Sequence, residues 1–302
     1  MPKSLIILLG PTGVGKTSLS IGLAKHFSTE IISCDSRPIY CEMNIGTAVP
    51  GKNILNEVKH HFIHSHSIHD YYNASIYEIE VLELFDSLIE KFDVVIMTGG
   101  SMLYIDAVCK GIDDLPEVKP ELRDLLIKRM NNEGIESLRA ELRILDPVYY
   151  DEVDLRNPKR ILHALEICLM TGKPYSSFRT NQTKTRNFNV VKMGLNSERT
   201  ILYDRINQRV EEMFSEGLEE EARKLYPFRH LNSLNTVGYR ELFDYFDNSI
   251  DLEEAKTRIK ANTRKYARKQ LTWFRRNSSI KWFCPPNEND IIEFLDLQLN
   301  EV

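Results

Sequence analysis

Residues 5–17 read LIILLGPTGVGKT, and this stretch decides the fold. Five apolar residues lead directly into Gly10, and the following residues match the pattern G-x-x-x-x-G-K-[ST] through Gly15, Lys16 and Thr17. A buried strand that turns through glycines into a helix forms a phosphate cradle, because backbone N–H groups point inward and the helix N-terminus adds partial positive charge. Lys16 adds a full charge, and the Thr17 hydroxyl is a candidate Mg²⁺ ligand. The sequence therefore predicts a site for a di- or triphosphate.

Two later strands bear on the chemistry of this site. A strand predicted at 30–34 ends at Asp35, and ligands of open α/β sheets bind beyond the carboxyl ends of the strands. We therefore expect Asp35 at the same rim as Lys16, although a plain turn explains this residue equally well. The strand predicted at 92–97 ends at Thr98, where P-loop enzymes that hydrolyse ATP usually carry an acid. The missing acid argues against ordinary nucleotide hydrolysis.

The pattern of the chain changes after the glycine at position 111. Residues 113–188 have helical but little strand periodicity, and 190–195 then resumes a strand pattern. We predict an α/β fold, with a P-loop NTPase-like parallel sheet and helices on both faces. This core comprises 1–112 and 189–302, and 113–188 is an inserted all-helical domain.

The last third of the chain contains a long stretch of positive charge. A long helix is predicted at 198–226, where Arg205 and Arg209 share one face and are either surface charges or reach the phosphate rim. From 256 to 281 there are ten Lys or Arg and no acid. The helix predicted at 259–276 also carries Tyr266, Trp273 and Phe274. Basic groups contact phosphates and aromatic rings stack on unpaired bases, although a core helix with a charged outer face produces the same pattern.

Composition narrows the class of protein. The chain of 302 residues is 42% hydrophobic and 27% charged with a net charge of −5, and it contains no apolar run long enough to span a membrane. Its five cysteines are scattered without a C-x-x-C pair, which fits a cytoplasmic location. Residues 60–69 hold five of the eight histidines, but their spacing matches no familiar zinc pattern. We expect a cytoplasmic monomer with no membrane segment.

Nine segments in order resemble one family across nearly the whole chain, the tRNA dimethylallyltransferases, also called isopentenyl-tRNA transferases. They are GPTGVGKT, DSRPIY, GTAVP, HHFI, TGGSMLYI, NPKRILHALEI, RINQRVEEM with GLEEE, NTVGYREL and TRKYARKQLTWFRR. The resemblance implies transfer of a dimethylallyl group from dimethylallyl diphosphate to N6 of the adenine immediately 3′ of the anticodon, in tRNAs that read codons beginning with U. It further implies that the phosphate cradle holds the diphosphate of the prenyl donor and that the helical insertion contacts the anticodon stem–loop.

The resemblance also implies roles for individual residues. Asp35 would be the general base, while Lys16 and Arg209 would stabilise the departing diphosphate. Thr17 would bind either Mg²⁺, the expected cofactor, or a phosphate oxygen directly. The residues expected to bind the donor are Gly10, Thr12, Gly13, Val14, Gly15, Lys16, Thr17, Arg205 and Arg209. The residues expected to contact tRNA are Asp35, Ser36, Arg37, Pro38, Ser101, Arg123, Lys159, Arg160, Ile161, Leu162, His163, Arg264, Lys265, Arg268 and Lys269.

The sequence departs from the family pattern at a few positions. His163 stands where the family commonly has arginine, Pro38 where glutamine is more usual, and Ser101-Met102 where Thr-Gly is commoner. The zinc-finger extension of eukaryotic relatives is absent, which favours a bacterial-type enzyme.

Three other functions stay open. A P-loop small-molecule kinase would also place an acid after the second strand, but it does not need the insertion or the basic helix. An adenine-nucleotide prenyltransferase would share the donor site and lack a positive surface for a stem–loop. A non-enzymatic nucleic-acid-binding module would leave the phosphate cradle and Asp35 without a purpose.

Overall fold

The computed structural model describes residues 3–113, 115–116, 118–180 and 182–300. They divide into two compact units, one formed by the chain up to Cys109 and from Thr185 onward, the other by Lys110–Lys184. The predicted insertion, 113–188, is offset from the second unit by a few residues at each end.

The larger unit is built on a parallel sheet. Its strands are β1 Ser4–Leu9, β2 Ile31–Ser33, β3 His60–His61, β4 Val94–Gly99, β5 Asn189–Leu195 and β6 Lys281–Phe283. Within the described residues these six strands are all parallel, in the order β3-β2-β4-β1-β5-β6. The chain leaves β1 toward β2 on one side and leaves β4 toward β5 on the other, so the carboxyl ends of β1 and β4 flank the crevice where such sheets bind ligands.

Helices occupy the remaining regular structure. In the described residues they are α1 Lys16–His26, α2 Lys52–Glu57, α3 Ala74–Leu88, α4 Met102–Lys110, α5 Pro120–Glu133, α6 Ile135–Leu145, α7 Pro147–Glu152, α8 Pro158–Thr171, α9 Arg199–Ser215, α10 Leu218–Leu225, α11 Tyr239–Phe246, α12 Leu252–Phe274 and α13 Glu288–Asn300. No helix among the described residues is both long and apolar enough to cross a membrane.

The central strand explains why helices cover both faces of the sheet. Successive side chains of a strand point to opposite faces, and every residue of β1 is buried. Ile6 and Leu8 pack in one apolar cluster with residues of α1 and α13, whereas Leu5 and Ile7 pack in another with residues of α3 and α4. A strand buried on both faces reads as a continuous apolar run, so the predicted fold class is confirmed.

The smaller unit is helical and has its own core. Helices α5 to α8 lie within it, and their apolar residues, including Leu126, Leu138, Leu142 and Leu165, form a separate buried cluster. The described part of this unit, 110–113, 115–116, 118–180 and 182–184, contains no strand. A 3₁₀ turn, Tyr175–Phe178, follows α8.

The prediction of a single long helix over 198–226 is wrong. The chain forms α9 and α10 instead, and Gly217 between them has φ = 102°. A non-glycine residue would be strained in this left-handed conformation, and the N–H of Gly217 bonds back to the carbonyl of Phe214 at 3.2 Å. The helix therefore ends and restarts in a new direction, because a glycine C-terminal to a helix favours such a termination.

The histidine-rich stretch has a structural role at the sheet edge. His60 and His61 form β3, and the Nε2 atom of His61 lies 2.6 Å from a carboxylate oxygen of Glu30. The Nε2 atom of His64 lies 3.3 Å from the carbonyl of Met43. Among the described residues there is no group of three or more His, Cys, Asp or Glu side chains arranged to hold a metal ion.

Candidate active site

The phosphate cradle connects β1 to α1 at the carboxyl edge of the sheet. It contains the donor-binding candidates Gly10, Thr12, Gly13, Val14, Gly15, Lys16 and Thr17. Val14 is 1% exposed, so only its backbone is available to a ligand. The Nζ atom of Lys16 donates hydrogen bonds to the carbonyls of Gly10 and Pro11, both at 3.0 Å. The ammonium therefore lies inside the turn of the loop.

Asp35 follows β2 and is fixed at the same rim. Its Oδ1 atom accepts a hydrogen bond from the backbone N–H of Gly100 at 2.6 Å, and Gly100 directly follows β4. Among the described residues, no other hydrogen bond to the Asp35 carboxylate is found, so its Oδ2 atom is available to a substrate. The neighbouring Ser36 is held similarly, because its N–H donates to the hydroxyl of Ser101 at 2.8 Å.

Arg209 reaches the cradle from α9. Its Nη1 donates to the Thr12 hydroxyl at 3.3 Å and its Nη2 to the carbonyl of Ala48 at 3.4 Å. Arg205, one turn earlier on α9, is exposed. The two arginines that the sequence left as alternatives are thus distinguished by the structure: only Arg209 is hydrogen-bonded to the cradle.

A half-buried carboxylate holds the loop that carries Ala48. Glu221 on α10 accepts hydrogen bonds from the backbone N–H groups of residues 44, 45 and 46 at 3.1, 2.8 and 2.9 Å, and from the hydroxyl of Tyr239 at 2.6 Å. This arrangement explains why the segments GTAVP, GLEEE and GYREL occur together. They form one support behind Arg209.

The charges at the rim influence one another. Burial lowers the pKa of Lys16, the negative charge of Asp35 raises it, and the positive charge of Arg209 lowers it. Burial also lowers the pKa of Arg209, and Asp35 again opposes this. Two half-buried cations face a single carboxylate, so a di- or triphosphate would supply the negative charge that this pocket lacks.

A Mg²⁺ ion is compatible with Thr17 but is not held by a protein cage. Thr17 is exposed at the start of α1, and in the described residues no acidic cluster accompanies it. Mg²⁺ commonly takes one or two protein oxygens, with water and substrate phosphates completing its shell. A hydroxyl beside a diphosphate suits that chemistry.

Helix α12 presents different residues to its two sides. Three exposed basic side chains lie close together in its second half, and we call them the outer triplet: Lys265, Arg268 and Lys269. Arg264, one turn earlier, is half-buried and points its Nη1 to Asn207 at 2.5 Å. The inner side carries Ala267, Gln270 and Phe274, all buried.

Of the two interpretations of the aromatic residues of α12, core packing rather than base stacking holds for two of the three. Phe274 is buried in the apolar core. Trp273 packs against the same cluster and donates its N–H to Asp106 at 2.8 Å. The hydroxyl of Tyr266 lies 3.5 Å from the carbonyl of Gly100, so this ring faces the candidate active site. Burial raises the pKa of Tyr266 and keeps the hydroxyl protonated.

The segment after Asp35 is anchored in the larger unit. The Nη1 atom of Arg37 donates to the carbonyl of Ser233 at 2.8 Å, which occupies part of the guanidinium that was predicted to contact tRNA. Pro38 is half-buried, and its carbonyl accepts a hydrogen bond from the N–H of His64 at 2.9 Å. Both residues therefore help to shape the loop beside the rim.

The helical unit contains its own cationic cavity of about 560 Å³. Lys159, Arg160 and His163 line it together with Tyr149, Tyr175 and Arg179. The adjacent Ile161 and Leu162, also predicted to contact tRNA, are 0% and 8% exposed and lie in the core of this unit. Their side chains are buried in that core and are therefore not available to an RNA.

Arg123 has a structural partner in the same unit. Its Nε and Nη2 atoms donate to the two carboxylate oxygens of Glu166 at 2.7 and 2.9 Å. Glu166 is fully buried, whereas the Arg123 side chain is 42% exposed. The predicted tRNA contact at Arg123 therefore shares its guanidinium with a buried carboxylate.

Sequence reasoning missed Gln270. Its amide contacts both the cradle and the residue that holds Asp35, although the sequence shows only a polar residue inside a basic helix. The one available signal was its position on the same helical face as Ala267 and Phe274.

Known proteins resemble this chain over nearly its whole length. The model of the IPP transferase family matches residues 38–277. The tRNA dimethylallyltransferase 1 of Phocaeicola vulgatus is 55% identical over 295 residues, which cover 98% of each chain. The solved tRNA isopentenylpyrophosphate transferase of Bacillus halodurans has a TM-score of 0.71 and 33% identity, covering 99% of this chain and 96% of that one. A eukaryotic dimethylallyltransferase acting on tRNA shares the fold, with a TM-score of 0.78 at 23% identity over 94% of this chain and 74% of its own. The chain therefore belongs to the IPP transferase family, as the resemblance of its motifs to the tRNA dimethylallyltransferases predicted.

Proposed function

We propose that this chain transfers a dimethylallyl group from dimethylallyl diphosphate to N6 of the adenine immediately 3′ of the anticodon, in tRNAs that read codons beginning with U. One observation carries the proposal: the carboxylate of Asp35 and the half-buried cations Lys16 and Arg209 lie at one rim of the sheet. This rim combines a base for a nucleobase with a cradle for a diphosphate. Membership of the IPP transferase family supports the identity of both substrates.

The reaction needs a base because the lone pair of an exocyclic adenine amine is delocalised into the ring. As N6 attacks the allylic carbon, Asp35 takes its proton, and the bond between that carbon and the diphosphate oxygen breaks. The bond between Gly100 and Oδ1 of Asp35 fixes the carboxylate, and Oδ2 receives the proton. A positioned base typically contributes 10²–10⁴-fold, roughly, to such a step.

The leaving diphosphate takes the electron pair and needs its charge neutralised. Lys16, Arg209 and the N–H groups of the cradle supply positive charge where that charge develops. No water has to be activated, which fits the residue at the end of β4. Thr98 carries a hydroxyl there, and it donates to the carbonyl of Leu8 at 3.3 Å.

Mg²⁺ is part of the proposal as an ion shared between Thr17 and the diphosphate. When bound, it would supply further positive charge to the leaving group. Protein contacts set the positions of Lys16 and Arg209, so both side chains are in place to orient the donor.

RNA would contact the chain through exposed basic side chains. The outer triplet supports phosphate contacts on the larger unit, and Lys159 and Arg160 support them on the helical unit. The target adenine is stacked within the anticodon loop, so it must leave the stack at a cost of a few kcal/mol, roughly. A cytoplasmic location and a monomeric state stay predictions from the sequence.

Parallel incubations with a labelled donor test this function. Dimethylallyl diphosphate labelled in its prenyl group is offered with unmodified tRNA, AMP or ATP as acceptor, and γ-labelled ATP is offered to a mixture of metabolites. We expect prenyl label on tRNA alone, on the adenine next to the anticodon. Label on AMP or ATP would indicate an adenine-nucleotide prenyltransferase, and transfer of γ-phosphate would indicate a kinase. Either result would contradict the proposal.

A further inference from the structure

Gln270 lies on the inner side of α12, and its side chain joins two parts of the candidate active site. It is 1% exposed. Its Oε1 atom accepts a hydrogen bond from the backbone N–H of Thr12 at 2.9 Å, and its Nε2 atom donates to the carbonyl of Gly100 at 3.0 Å. One amide therefore contacts both the phosphate cradle and the residue that holds the general base.

The contacts continue from Gly100 to the base and from Thr12 to the cation. The N–H of Gly100 donates to Asp35, and the hydroxyl of Thr12 accepts from Arg209. With its carbonyl fixed by Gln270, Gly100 is less free to rotate, and its N–H keeps its direction. The same amide thus restrains the two groups that act on either side of the allylic carbon. Asp35 acts on the attacking amine, and Arg209 acts on the departing diphosphate.

Packing allows one arrangement of this amide. A Cβ atom at position 100 would lie 2.0 Å from the Nε2 atom of Gln270, so glycine is required for the approach. The carbonyl of Gly100 needs a donor and the N–H of Thr12 needs an acceptor, and a glutamine amide presents one of each. Glutamate lacks the donor, methionine lacks both, and asparagine is one methylene shorter.

We propose that Gln270 is a positioning residue that sets the placement of Asp35 relative to the phosphate cradle. It acts through Thr12 and Gly100. This inference rests on the proposed function. It gives a role in that reaction to a residue that lies neither in the phosphate cradle nor in the loop that carries Asp35. Because a displacement of about 1 Å can lower an enzymatic rate roughly 100-fold, loss of this amide lowers the transfer rate more than it lowers substrate binding.

Single-turnover transfer by the full chain tests the proposal. Wild type, Gln270→Met and Gln270→Glu are compared at saturating labelled dimethylallyl diphosphate and tRNA, and tRNA affinity is measured by filter binding. Methionine has a similar length without the amide, and glutamate keeps the acceptor for Thr12 while placing an oxygen against the carbonyl of Gly100. We expect the rate of both variants to fall about 10- to 100-fold. We expect tRNA affinity to stay within about twofold.

The split between rate and tRNA affinity is the readout that a purely structural role would not produce. The N–H of Gly100 holds the Asp35 carboxylate in place, so loosening it lowers the transfer rate while the tRNA contacts are unchanged.

A matched substitution at Gln208 serves as the control, because this residue is exposed on α9 and bonds to Glu212. Gln208→Met should transfer at the wild-type rate. A Gln270→Met rate within about twofold of wild type would overturn the proposal. So would a loss of rate in either variant that merely follows a fall in melting temperature and in tRNA affinity. A wild-type chain that prenylates no tRNA would instead contradict the proposed function, and the inference with it.

Discussion

Replacing Glu221 by alanine removes the support behind the phosphate rim. One Glu221 oxygen accepts the N–H groups of Asn44 and Ile45, and the other accepts the N–H of Gly46 and the hydroxyl of Tyr239. Alanine cannot make any of these bonds. Four donors therefore lose their acceptor in a single substitution.

The expected loss of stability follows from how exposed those donors are. Asn44 is accessible enough to bond to water, whereas the bonds of Ile45 and Gly46 are partly buried and Tyr239 is fully buried. At about 1 kcal/mol for each of these three groups, the free energy of unfolding should fall by about 3 kcal/mol. In a protein of this size that corresponds to a melting temperature lower by roughly 6–12 °C.

Thermal melting of three variants measures this loss. Glu220 is adjacent in sequence and exposed, so Glu220→Ala is the matched control and should change stability by less than about 0.5 kcal/mol. Glu221→Gln keeps one acceptor and should fall between the two. The KM for the donor should also rise in Glu221→Ala, because Ala48 of the released loop accepts a hydrogen bond from Arg209. Equal melting of Glu221→Ala and Glu220→Ala would refute the reasoning.

The remaining predictions concern RNA, the donor and acid stability. Alanine at all three positions of the outer triplet should weaken tRNA binding and lower the slope of log affinity against log salt by about 2. Filter binding at several salt concentrations measures this slope. An unchanged slope would show that the outer triplet does not contact RNA phosphates. In steady-state kinetics, Arg209→Ala should raise the KM for the donor about 10- to 100-fold, whereas Arg205→Ala should match wild type. Similar effects of both variants would contradict the conclusion that only Arg209 acts at the cradle. Burial raises the pKa of Glu166, but hydrogen bonds from His163 and Arg123 outweigh it and hold the pKa below 4.5. The stability that these bonds supply is therefore present above that pH and lost below it. Melting curves of Glu166→Gln should decline less steeply than wild type as the pH falls from about 5 toward 3, and parallel declines would exclude this role.

The sequence was sufficient to predict those features of the fold and the site that depend on residues close together in the chain. The cradle from Gly10 to Thr17 combines a buried strand, a glycine turn and a helix start, all within one segment. The position of Asp35 followed from topology, because the carboxyl ends of parallel strands meet at one edge. The choice between Arg205 and Arg209 did not follow, since both lie on the same side of α9 and only packing decides which reaches the loop.

Features that depend on distant parts of the chain could not be predicted. Gln270 bonds to Thr12, which is 258 positions away in sequence. The inner side of α12 is defined only once the sheet is in place, so the sequence left open whether Trp273 and Phe274 stack on bases or pack in the core. Glu221 likewise appears in sequence as one of three consecutive acids, and its four hydrogen bonds come from loop and helix residues elsewhere in the fold.

The rate of prenyl transfer by Asp35→Asn tests the central claim most directly. Asparagine keeps an oxygen for the N–H of Gly100 but cannot take a proton from an adenine amine. We expect the single-turnover rate on tRNA to fall about 10²- to 10⁴-fold, while the affinities for tRNA and for dimethylallyl diphosphate stay near wild type. Near-normal transfer by this variant would contradict the account, because the carboxylate beside the phosphate cradle would then not be the base.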